Sequence, residues 1–402
     1  MLRLVNCTVF DGVGEAMLEG REILIEGDEI REVSSGRTTA QAEATLDAGG
    51  RIVMPGLIDA HFHAYAVTAQ IRQLESTPPS LLAHQARPLL EAALRRGFTT
   101  VRDAAGADAG LAAAVESGLI EGPRIFFGGR ALTMTGGHGD TRGAYEPCGC
   151  DSSVLSQVVD GVDNVRRVVR DELRKGAHQI KIFVSGGVAS PTDPIWSDQY
   201  SDEEIRAIVE EASARRSYVL AHAYTARSIA RAVACGVRCI EHANLIDADT
   251  AKRVAKAGAY VVPTLVTYEA LAEFGAVALP PSGIEKLNVV RSEGLRAIEH
   301  CRKAGVKLGF GTDLLGPMHA WESREFGLRA QVEKPVDVLR SATSINAEIL
   351  QQTGRLGTIA AGAKADVLVV DGNPLEDVSV MQRPEQTLRA IVKDGRIVKN
   401  DL

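Results

Sequence analysis

The 402-residue chain has no basic excess, no long apolar run and no paired cysteine motifs, and each absence closes off a class of function. Against 45 Lys and Arg stand 52 Asp and Glu, a net charge of −7. Phosphate binding wants a basic patch, so no nucleic-acid or anionic-membrane partner is expected. No apolar run approaches the roughly 20 residues of a membrane span. The opening "MLRLVNCTVFDG" lacks the apolar core and small-residue cleavage site of a signal peptide. A cytoplasmic protein is expected. Cys148 and Cys150 stand close together in "PCGC", but no second close pair completes a CxxC…CxxC zinc site. With Cys7, Cys235, Cys239 and Cys301, they read as free thiols in a reducing compartment. Short-period repeats, low-complexity tracts and long linkers are missing too.

What is present is the composition of a globular protein, 45% hydrophobic and 24% charged. Apolar runs alternate with helical patterns along the middle of the chain. The runs are "RIVMPGLIDAHFH", "TTVRDA", "RIFFGG", "QIKIFVSGG", "YVLAHAY", "RCIEHANL", "YVVPTL" and "VKLGFGTD". Between them lie amphipathic stretches such as "SDEEIRAIVEEASARR", where Ser201 and Glu204 form a capping box. In "TARSIARAVACG", Gly236 is placed to end a helix. Eight strand–helix units predict a (β/α)₈ barrel of the TIM type over an open doubly wound sheet. No GxGxxG follows the first run, which argues against a dinucleotide site. The ends read as β structure, with "EILIEGDEIREV" around a Gly-Asp turn and a hairpin signal at Asp394-Gly395. Neither end is large enough to hold a core alone. The expected arrangement is a small β-sandwich composed of residues 1–54 and 357–402, with the barrel at 55–356 inserted between.

The run "GLIDAHFHAYAV" departs from the apolar rule, because Asp59, His61 and His63 occupy one face of a strand. Buried imidazoles need partners, and a metal ion would supply one. Active groups of a barrel sit at the C-terminal ends of its strands. There stand His61 and His63 on the first run, Lys181 on the fourth, His222 on the fifth, His242 on the sixth and Asp313 on the eighth. His84, His178 and His300 fall in helices or their connections, and His319 in a loop. A single strand histidine is more often a core residue than a ligand, but this many strand-end groups argue together. Lys181 has apolar neighbours in "QIKIFVSGG". Burial lowers a lysine pKa, and a neutral amine reacts with carbon dioxide to an anionic carbamate suited to bridging two metals. The plainer reading is a lysine ion-paired to a nearby carboxylate.

"GLIDAHFH", "IKIFVSGGVASP", "VLAHAYT", "IEHANL" and "GFGTDLLG" resemble the amidohydrolase superfamily, in particular its bacterial metal-dependent dipeptidases that cleave Xaa-Pro peptides. The resemblance spans nearly the whole chain. It implies that His61, His63 and Asp313 hold one divalent ion, that His222 and His242 hold a second, and that a carboxylated Lys181 bridges both. Zinc suits imidazole and carboxylate ligands, with cobalt or manganese able to substitute. Water acidified between the ions would attack an amide carbonyl, with Asp313 as general base. His138, in the glycine-rich "TMTGGHGDTRG", and Tyr224, two residues beyond His222, match the His and Tyr that bind the substrate's C-terminal carboxylate in that branch. Arg142 and Arg227 are read as solvent-facing. The expected activity is hydrolysis of a Xaa-Pro dipeptide. The alternatives are a carboxypeptidase or an N-acyl-amino-acid amidase, ochratoxin-type amidases included, with the same metal site. A barrel with purely structural metals is the rival of another class. A homo-oligomer acting on a small-molecule or dipeptide substrate is expected.

Overall fold

A computed structural model describes residues 1–36, 41–143, 145–146, 153–190, 192–279 and 281–402. Cys148 and Cys150 lie outside the described residues; Cys7, Cys235, Cys239 and Cys301 are buried free thiols. No described helix is long and apolar enough to cross a membrane.

The eight runs form the eight parallel strands of a barrel: Leu57–Phe62, Phe98–Asp103, Arg124–Phe127, Ile180–Phe183, Val219–Thr225, Cys239–Leu245, Tyr260–Val262 and Lys307–Leu308. They pair as two sheets that backbone hydrogen bonds join into a ring. On one side Ala60 N donates to Phe310 O at 2.8 Å and Asp313 N to His61 O at 2.8 Å. On the other His178 N donates to Phe127 O at 2.8 Å. The (β/α)₈ barrel is therefore closed. Two short parallel strands, Ala131–Thr133 and Ser156–Val158, add to the edge of the fourth barrel strand. They are absent from the sequence pattern because three residues are too few to show alternation.

Local signals set the outer helices. Helix Asp202–Ala214 starts at Ser201, whose side chain accepts from Glu204 N while Glu204 accepts from Ser201 N. Such a cap contributes about 1 kcal/mol. Helix Ala226–Ala234 stops where Gly236 takes φ +95°. The apolar faces of these helices and strands share one core, in which Ile182, Ala221, Ile240, Ile205, Ile229 and Val254 are all buried.

Strands from both ends of the chain share one eight-stranded sheet, in which Ile52–Pro55 lies between Leu2–Val9 and Val367–Val370. Alternation assigns its two faces. Val367 and Val369 enter a core enclosed by the sheet itself, while Leu368 and Val370 pack against the barrel with Phe98 and Phe310. The sheet curls until two hairpin turns meet, so that a Cβ at Gly395 (φ +72°) would lie 1.9 Å from Gly27 O.

Candidate active site

Five imidazoles and one carboxylate ring a cavity of about 500 Å³ at the C-terminal mouth of the barrel. His61 is the penultimate residue of the first strand, Leu57–Phe62, and His63 directly follows that strand. Asp313 Oδ1 lies 3.4 Å from His61 Nε2 and 3.0 Å from His63 Nε2, and Asp313 Oδ2 lies 4.0 Å from His242 Nδ1. Ligand atoms of His61, His242 and Asp313 all fall within 4.8 Å of one another. The rings continue in a row: His242 stands 4.7 Å from His222, and His222 stacks on His138 at 4.4 Å. Lys181 and Tyr224 line the same cavity. A larger cleft of about 920 Å³ beside Trp321 and Arg383 holds none of these residues.

The backs of the rings are engaged by acceptors. His61 Nδ1 meets Glu241 Oε2 at 2.7 Å, His63 Nδ1 meets Ala105 O at 3.0 Å, and His222 Nε2 meets Gly186 O at 3.3 Å. A carbonyl or carboxylate only accepts, so these nitrogens carry ring protons, and the opposite nitrogens of His61 and His63 face Asp313. Such a donor set, converging on Asp313, fits divalent metal ions.

Burial and charge tune the groups. Burial pulls His222 and His242 well below their ordinary pKa, which keeps them neutral. Burial opposes a charge on Asp313, but His61 and His63 more than offset it and hold the carboxyl well below its usual range. Lys181 is 2% exposed, and burial lowers it to about 8. Among the described residues no carboxylate stands within ion-pair distance of its Nζ, which lies 5.6 Å from the Phe183 ring centre. The plain reading of Lys181 as an ion-paired lysine finds no partner there.

The amidohydrolase family profile matches residues 52–398. The chain belongs to the amidohydrolase family. It is similar to the crystal structure of an amidohydrolase, 51% identical with a TM-score of 0.97 over 100% of this chain and 99% of that one. It is equally similar to a prolidase crystallised with N-methylphosphonate-L-proline, 50% identical with a TM-score of 0.96 over 99% of both chains. The ochratoxinase of Aspergillus niger is 32% identical over 367 residues, 87% of this chain and 76% of that one. The chain lies in the prolidase-like branch of the superfamily, and it is a hydrolase acting on amide bonds. Amidohydrolases generally use divalent metals.

This amidohydrolase departs from the sequence reading in three places. Asp59 does not join the imidazoles; one layer deeper, it accepts from His61 N at 2.8 Å and Thr312 Oγ1 at 2.5 Å, pinning the first strand to the eighth. His319 stands in a short 3₁₀ turn, Gly316–Trp321, not an open loop. Glu241 carries no signal in the sequence, because strand alternation sends it away from the face that His242 occupies. Positive φ at His242 (73°) and Ala243 (56°) breaks the alternation, and both side chains turn inward. Glu241 is then sandwiched between His61 and Arg102, whose Nη2 donates to Oε1 at 2.7 Å. Burial opposes its charge, and Arg102 with His61 keeps it ionised. Arg142 forks onto Asp140, and Arg227 pairs with Asp198 while 82% exposed.

Proposed function

We propose that this amidohydrolase cleaves the amide bond of a small substrate with a free C-terminal carboxylate, a Xaa-Pro dipeptide or a related N-acyl amino acid. The observation that carries the reading is that His138 and Tyr224 share one cavity with the imidazole–Asp313 cluster. The Tyr268 hydroxyl donates to the Tyr224 oxygen at 3.2 Å, so the Tyr224 proton is left for a ligand. Burial raises the Tyr224 pKa, which keeps it a neutral donor. His138, whose Nδ1 meets Ser190 Oγ at 2.8 Å, would be the second side chain to engage a carboxylate there.

His61, His63 and Asp313 would hold one ion, and His222 and His242 a second, with zinc the metal that suits the donors. A carboxylated Lys181 would bridge them; at its lowered pKa about one amine in ten is neutral at neutral pH, ready for carbon dioxide. Divalent ions bound there acidify water and polarise an amide carbonyl. Asp313, anionic beside His63, is the base that takes a proton from the attacking water and passes it to the leaving nitrogen. A tertiary proline nitrogen needs that proton to leave.

A second reading is supported by the walls. Among the described cavity residues Asp313 is the one carboxylate, and Ile71, Leu271, Leu279 and Leu315 supply apolar surface. A free α-ammonium finds no partner of its own there, which favours N-acylated amino acids. Similarity to ochratoxinase points the same way. The test is a panel of dipeptides with N-acetylated and C-amidated counterparts, run with elemental analysis. About two ions per chain, and cleavage that needs the free carboxylate, are expected. Equal rates on free and amidated substrates would remove the carboxylate reading, and active enzyme with one ion or none would remove the binuclear one.

A further inference from the structure

The loop after the fourth barrel strand forms the bed on which His138 lies. A Cβ on Gly187 would fall 2.0 Å from His138 Cε1, so the imidazole rests directly on that backbone. Ser190 Oγ meets His138 Nδ1 at 2.8 Å, and Asp193 Oδ2 stands 4.0 Å from the same nitrogen. Asp193 Oδ2 also accepts from Gly187 N at 3.1 Å and from Gln199 Nε2 at 2.9 Å. Gln199 Oε1 in turn accepts from His138 N at 2.9 Å. These contacts tie the fourth-strand loop to the third-strand loop that carries His138.

A further tie comes from Lys286. It projects from the helix Pro281–Ala304, which lies between the seventh and eighth barrel strands. Its Nζ donates to Gly187 O at 3.1 Å, Ser190 O at 3.0 Å and Asp193 O at 2.6 Å. All three donor directions of the ammonium are spent on backbone carbonyls of one short stretch, which closes the hydrogen-bonding capacity of a lysine. Hydrogen bonds to a charged donor are worth more than neutral ones. Lys286 does not line the cavity.

We propose that Lys286 is a positioning residue: its ammonium clamps the backbone at Gly187, Ser190 and Asp193 across the barrel mouth and thereby sets the stance of His138 toward the substrate's carboxylate. The inference rests on the carboxylate role of His138 given above. Lysine suits the task because a compact ammonium can gather three carbonyls that do not lie in one plane, which a planar fork does less well.

The test compares Lys286→Met, Lys286→Arg and His138→Asn in the metal-loaded enzyme, on one free-acid substrate and its amidated counterpart. Lys286→Met keeps the stem and removes the charge. It should raise KM for the free acid about tenfold, hold kcat within about threefold and leave metal content unchanged. Lys286→Arg, which keeps the charge but offers a planar fork, should recover only part of the affinity. Amide hydrogen exchange at Gly187 and Ser190 should speed up in Lys286→Met, a readout independent of turnover. If His138→Asn raises KM and Lys286→Met does not, the clamp is refuted while carboxylate recognition stands. If His138→Asn leaves KM unchanged, recognition fails and the clamp with it. Loss of metal or of kcat in Lys286→Met, with KM untouched, would assign the lysine to the metal site and overturn the proposal.

Discussion

Asp313 and Lys181 make opposite demands on one buried volume. In the proposed mechanism Asp313 would have to stay charged, and its contacts with His61 and His63 favour that; Lys181 would have to lose its charge, and burial lowers it to about 8. Asp313→Asn keeps the shape but removes the proton acceptor, so kcat should fall ~10²–10⁴-fold with a smaller change in affinity. Metal content measured in the same samples separates this from loss of an ion, and a near-normal rate with metal intact would refute the base assignment. Lys181→Ala should lose metal and activity together, and short carboxylic acids added to the buffer should restore part of both. Full metal and full rate in Lys181→Ala would leave the lysine a merely structural role.

The strands and loops deliver these side chains through local departures from ideal geometry. The sixth strand turns two neighbouring residues inward through positive φ at His242 and Ala243, and Asp313 itself sits at φ +53°. Such conformations cost of order 1–3 kcal/mol each and persist where packing over-determines them. The fourth-strand loop uses the reverse device, a missing side chain. Gly187→Ala would place a methyl inside the His138 ring position, so the imidazole has to leave its bed. We expect Gly187→Ala to fold with little change in Tm, to keep its metal, and to raise KM for free-acid substrates. An unchanged KM would show that the ring's stance on Gly187 has no part in recognition.

Taken whole, the molecule buries ionisable groups outside the cavity lining as well, and these shape its response to pH. Glu325 is fully buried and accepts from Val266 N at 2.7 Å; burial raises its pKa from 4.5 to about 8, against the opposing pull of Arg329. In the unfolded chain the group returns to its ordinary value. Between 4.5 and about 8 the folded state therefore holds more protons than the unfolded state, so stability is fullest at the acid end and falls as pH rises. The slope from this group approaches ~1.4 kcal/mol per pH unit. Glu325→Gln keeps an acceptor for Val266 N and cannot ionise. Its Tm should fall less than that of the wild type between about pH 5 and about pH 8. Parallel Tm profiles for the two proteins would show that Glu325 does not titrate in this window.

The local pattern determined the (β/α)₈ barrel, the capped helices, the hairpin at Asp394-Gly395, and the strand ends where His61, Lys181, His222, His242 and Asp313 gather. Each of these depends on neighbours a few residues apart, through a period of two, a period near 3.6, or a turn residue, and a single chain read in order displays all of them. Glu241 behind His61, Asp59 against Thr312 and Lys286 over Gly187 leave no such mark. Their partners lie 180, 253 and 99 residues away along the chain. A charged or polar residue in a strand or on a helix looks the same in sequence whether it faces water or a distant acceptor. Only closure of the barrel, which sets the first strand against the sixth and eighth and brings the fourth-strand loop beneath the helix between the seventh and eighth strands, decides which of them it meets.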